Sequence, residues 1–153
     1  MSQYQLFQTL HFTGVAIYGL TAISCWLALT AAKSLEANHH RMGRFLALGP
    51  VLGLSLGALI LGGLGLHYHQ AGGFHWSFDT PEAQQTAIKH LVFLVFWISH
   101  FHLEIWTQEP LRKLQREESE PQLQAWKDAS KPVWRQLSVN VLLFAVLAAL
   151  SLA

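Results

Sequence analysis

The chain is poor in charge and in cysteine. Of its 153 residues, 12% are Asp, Glu, Lys or Arg, roughly half the share of a soluble domain. So few charged groups do not clothe a water-facing surface. A single cysteine, Cys25, excludes a disulfide scaffold. A net charge of +1 excludes a strongly basic surface, so no nucleic-acid partner is expected. Disorder is excluded too, because 52% of the residues are hydrophobic. Soft metal ligands are scarce: the methionines are Met1 and Met42. What the chain has in plenty is apolar sequence and histidine, with nine His against ten Lys and Arg.

Four apolar segments stand out, at about residues 6–32, 45–66, 87–107 and 135–153. A spanning helix takes about 20 mainly apolar residues. The first two segments carry no charge at all. The third contains Lys89, His90, His100, His102 and Glu104, so it spans only if those residues face the bundle interior. The fold expected is an all-α, integral membrane four-helix bundle forming one domain, with a charged, solvated connector at 108–134. A cleaved signal peptide fits the first segment poorly, since no positive stretch precedes it and the apolar run is long.

Lys and Arg set the orientation. They occur in 33–44 and 108–135 but not in 1–10 or 67–86. Both termini and the middle loop are therefore expected outside, and the other two loops in the cytoplasm. The compartment expected is a bacterial-type inner membrane, with lipid as the first partner.

Helical phase sorts the polar residues. His11, Gly14, Tyr18, Thr21 and Cys25 fall on one stripe of the first helix at 3,4,3,4 spacing. Cys25 reads as packing, because a thiol in apolar surroundings is inert. Lys89, Phe93, Phe96, His100 and Glu104 form a stripe on the third helix, with His90 about 100° away and His102 on the opposite side. Gly49, Gly53 and Gly57 repeat every fourth residue on the second helix. Such a face serves close helix packing or leaves a slot for a flat ring. Pro50 is expected to bend the start of that helix.

The orientation brings His11, His67, His69, His75 and His90 into one outer layer, with His67, His69 and His75 in the run HYHQAGGFH. His39 and His40 belong to the opposite side. Neutral imidazole ligates haem iron and copper. Haem b is favoured, with His11 as one axial ligand, His67 or His90 as the other, and Lys89 as a propionate partner. His100 is a further cofactor-binding candidate. Copper at His67, His69 and His75 is the alternative. Zinc finds no Cys-rich or HExxH pattern.

The chain resembles, over nearly its whole length, the four-helix membrane proteins that include the copper-resistance CopD domain and the HemJ-type protoporphyrinogen oxidases. The likeness rests on FQTLHFTGVAIYG, RFLALGP, IKHLVFLVFWISH and RQLSVNVLLF. It implies haem bound by His11 and a functional role for Lys89 in HemJ-like members, and copper movement in CopD-like ones. Lys89 and His100 stand eleven apart, as in the HemJ-like pattern. Asn140 falls where the family tends to carry a polar residue. The first helix departs from that pattern, with Ile17-Tyr18 in place of the usual tryptophan.

The function expected is a redox role, either electron transfer or oxidation of a small substrate such as a porphyrinogen or a quinone. Copper transport is the alternative, and a non-catalytic subunit of a larger membrane complex is a third. Homo-oligomerisation stays open.

Overall fold

A computed structural model describes residues 2–30, 35–73, 78–116 and 123–152, without the side chains of 35–39 and 152. Nearly all the described residues are helical, in the order α1 (Gln3–Thr30), α2 (Leu35–Ala71), α3 (Pro81–His102), a π-helical turn (Leu103–Thr107), α4 (Glu109–Arg116) and α5 (Leu123–Leu152). Four stretches are long and apolar enough to cross a membrane: Gln3–Thr30, His40–Ala71, Pro81–Arg116 and Leu123–Ser151. Large apolar side chains face outward on all of them, including Leu20, Leu54, Leu91 and Leu142. Water would penalise such a surface, whereas lipid accepts it.

The helix limits follow from local chemistry. Ser2 and Gln5 make a reciprocal capping box at the start of α1: the Gln5 N–H donates to Ser2 Oγ, and the Ser2 N–H donates to the Gln5 side chain. Thr80 caps α3 by accepting from the Ala83 N–H at 3.2 Å, with Pro81 in the first position. The third helix therefore starts six residues before the expected 87. α2 runs on past the expected 66, to Ala71, and stops at Gly72, whose φ of 68° is the left-handed turn that glycine makes without strain.

The described parts of 108–134 are helical and bury one apolar stripe beneath their exposed charges. α4 buries Leu111, and the first turns of α5 bury Trp126, Ala129 and Val133. These last three fall at 3,4 spacing on one stripe, while Lys127, Asp128 and Lys131 are exposed on the other side. A helix that keeps its charges on one face and its apolar residues on the other packs as well as an all-apolar one.

α1 lies tight against α2 through small residues. A Cβ at Gly14 would come within 2.7 Å of the Leu59 nitrogen and 2.9 Å of the Ser55 carbonyl oxygen. Gly62 abuts the backbone of His11, and Gly65 abuts the ring of Phe7. α1 also packs on α5, where the Trp26 indole donates to Ser138 Oγ at 2.9 Å. α5 packs on α3. α2 also meets α4 and α5, whereas α2 and α3 have little close backbone contact. A seam runs between them, bridged by side chains at two levels. At one end the His67 and His90 rings meet, and at the other Glu104 lies against Gly49. We call these the histidine end and the arginine end.

The arginine end is clasped by Arg112. Its guanidinium donates to the Glu104 carbonyl at 2.7 Å, to the Glu104 carboxylate at 3.2 Å and to the Gln108 side-chain oxygen at 3.1 Å. Gln108 in turn donates to the same carboxylate at 2.9 Å. The π-helical turn makes this possible, since the Gln108 N–H reaches back five residues to the Leu103 carbonyl. Arg112→Ala leaves a part-buried carboxylate short of donors. It is expected to cost about 1–3 kcal/mol in denaturant unfolding of the detergent-solubilised protein. Glu104→Gln, which removes the charge but keeps a polar partner, is expected to cost less.

Candidate functional site

The histidine end is built from three helices. His11 projects from α1 across the glycine face of α2. Its Nδ1–H donates to the Leu59 carbonyl at 3.3 Å, and the ring lies against Gly63. That bond fixes one ring nitrogen as the donor and leaves Nε2 as the basic nitrogen, the pattern usual for a histidine that ligates a metal. Leu59, Gly63 and His67 form one row along α2, each four residues from the last. His67 therefore sits one turn beyond His11 on the same side.

Across the seam, the His67 and His90 rings stand edge to face with centroids 4.9 Å apart. His90 also has the Thr86 backbone carbonyl, one turn back, as a hydrogen-bond partner. The edge-to-face contact does not suit a pair ligating one iron from opposite faces. It suits one ligand and one flanking ring. Lys89, half-buried beside them, enters neither of the two ion pairs found among the described residues, Arg112–Glu104 and Arg116–Glu109.

His69 goes elsewhere. α2 is still helical there, so His67 and His69 lie about 200° apart around its axis. The His69 ring rests against Phe7 at 5.6 Å and Tyr4 at 6.5 Å, on the α1 side. His75 lies outside the described residues. Among the described residues no three His, Cys, Asp or Glu side chains converge on one point. The histidine end thus gathers His11, His67 and His90, with His69 set apart. On the far side of the molecule His40 is exposed, and the side chain of His39 is outside the description.

The glycines of α2 divide by face. Gly62 and Gly65 serve packing against α1. Gly53 and Gly57 face open space, since a Cβ on either would meet nothing within 4 Å. The packing reading therefore holds for Gly62 and Gly65 and not for Gly53 and Gly57.

A second polar group lies in the middle of the bundle. His100 is buried, and its Nδ1 is 3.1 Å from the Tyr18 hydroxyl. Phe96 and Phe144 pack edge-on or tilted around Tyr18. Beside it, Gln136 donates to Ser99 Oγ and Ser99 donates to Asn140 Oδ1. Asn140 is fully buried. The stripe reading picks out Tyr18 and His100 but not Ser99 or Gln136. Their signal was the polar i, i+4 pair Gln136 and Asn140 in an otherwise apolar helix. Cys25 is buried in the core, as packing requires, and His102 is exposed beside Trp106.

These groups can donate and accept hydrogen bonds inside an apolar body, and the histidine end gathers imidazoles from three helices. Comparison with protein-family models, with curated proteins and with solved structures finds no match to this chain, and the reading of the site rests on its own residues.

Proposed function

We propose that the protein is a multi-pass protein of a bacterial-type inner membrane that binds b-type haem at its histidine end and has a redox role. Both termini and the histidine end face outside, because the basic residues gather at the arginine end. The observation that carries the reading is the histidine end, where three helices contribute His11, His67 and His90, with His67 and His90 in ring contact and His11 tied to α2.

His11 would hold the iron through Nε2, made available by the Nδ1–H bond to Leu59. His90 would be the second ligand, with His67 flanking it edge-on. Lys89 would neutralise a propionate. When bound, haem supplies a one-electron carrier. The bond to the Leu59 carbonyl sets the tautomer of His11. The resemblance to HemJ-like and CopD-like proteins supports the same assignment of His11 and Lys89. Oxidation of a small substrate, porphyrinogen or quinone, fits the same site. Copper held by the histidine run has less support, because His69 turns to Tyr4 and Phe7 rather than to His67.

The test is the visible spectrum of protein expressed with haem supplied and purified in detergent. A Soret band that sharpens on reduction, with a narrow α band from two imidazole ligands, is the expected result. A colourless protein that carries copper instead, or no metal at all, overturns the proposal.

A further inference from the structure

We propose that the outer face of α5 binds an anionic phospholipid at the arginine end, with its head group held by Lys127, Lys131 and Arg135 and an acyl chain lying along Val139, Leu142 and Val146. The proposal rests on α5 spanning a membrane and is independent of haem.

Lys127, Lys131 and Arg135 stand four residues apart on α5, and all three are exposed. At about 100° per residue, Lys127 and Arg135 stay within about 40° of Lys131 around the axis. Trp126, Ala129, Val133, Leu137 and Asn140 are buried on the other side of the helix. The three cations therefore point away from the bundle. None of them enters either ion pair found among the described residues, Arg112–Glu104 and Arg116–Glu109. One acid shares their face, the exposed Asp128, whose carboxylate accepts from the Gln124 side chain at 3.0 Å. Among the described residues, this face of α5 is left with more positive than negative charge.

The same column turns apolar at one level. Past Arg135, α5 carries no charged residue, and Val139, Leu142 and Val146 continue the outward face. Exposed Trp134 lies beside Arg135 at the change, where an indole suits the boundary between head groups and hydrocarbon. Successive cations are about 6 Å apart along the axis, and their long stems let the charged heads gather toward one level. Lys and Arg at a membrane surface attract anionic lipid, and Arg presents a fork that matches phosphate oxygens. A ligand for this column carries its anion beside the cations and its hydrocarbon beside the valines. A free phosphate would leave the apolar half uncovered. A zwitterionic lipid would set its own cation against the lysines. A phospholipid with a net negative head group matches both halves.

The experiment adds dioleoyl phosphatidylglycerol or dioleoyl phosphatidylcholine to haem-free protein in detergent and reads bound lipid by native mass spectrometry. Wild type is expected to hold a first phosphatidylglycerol more tightly than phosphatidylcholine. Lys131→Gln and Arg135→Gln are each expected to weaken that first phosphatidylglycerol about fivefold and to leave phosphatidylcholine unchanged. Lys131→Arg keeps the charge and is expected to keep the affinity. Arg44→Gln removes an exposed cation from α2 instead and is expected to change neither lipid. Wild type without a preference for phosphatidylglycerol overturns the proposal. So does equal weakening by Arg44→Gln, which would mean that net charge alone draws the lipid. Flotation with phosphatidylcholine vesicles separates the levels of failure. Protein that does not float contradicts the span and the lipid site together, whereas protein that floats without the preference contradicts the lipid site alone.

Discussion

His11→Ala is expected to lower the haem occupancy of the purified protein about tenfold or more, the range seen when a metal site loses a ligand or its orienting partner. His11 is singled out by its attachment rather than by its type. Its Nδ1–H is tied to the Leu59 carbonyl, which sets the tautomer, and its ring lies against Gly63. His69→Ala is the control. Its ring lies on the α1 side of α2 against Tyr4 and Phe7, so haem occupancy is expected to stay at the wild-type level. A copper site in the histidine run reverses this order, with His69→Ala losing metal and His11→Ala keeping it. The haem absorbance and the bound-metal content of the same three preparations distinguish the two.

The second large effect is on stability. Gly62→Leu is expected to destabilise the bundle by at least about 3 kcal/mol, the upper end of overpacking costs. The added atoms meet the His11 backbone, which moves only if α1 as a whole moves. Gly14→Leu meets the backbone of Leu59 and Ser55 and is expected to behave alike. Gly53→Ala has no neighbour to displace and is expected to change stability by no more than about 0.5 kcal/mol. Unfolding in mixed micelles by denaturing detergent measures all three. Equal losses at Gly62 and Gly53 would mean that α2 does not divide its glycines between a packed face and an open one.

Much of this architecture is written in local patterns. The low charge announces four apolar spans, and the stripe of Tyr18 and Cys25 on α1 does turn inward. So do Phe96 and His100 on α3. Element limits are less plain, although their signals exist. Thr80-Pro81 opens α3, Ser2 and Gln5 open α1, and Gly72 closes α2. At α5, Lys127, Asp128 and Lys131 disguise the stripe of Trp126, Ala129 and Val133. Hydropathy averages both faces of a helix and so misses a stripe under charges. The seam was not legible at all. That α2 and α3 lack close backbone contact depends on the order of the helices around the bundle, which no single helix encodes. The common level of His67 and His90 follows from the orientation, but their ring contact depends on the helix order as well.

The central claim is that the histidine end holds haem, and the haem-to-protein ratio tests it most directly. The measurement is a pyridine haemochrome assay with amino-acid analysis on protein expressed with haem supplied. We predict a ratio approaching one haem per chain, falling sharply in His11→Ala. A wild-type ratio near zero in folded, monodisperse protein would contradict the account.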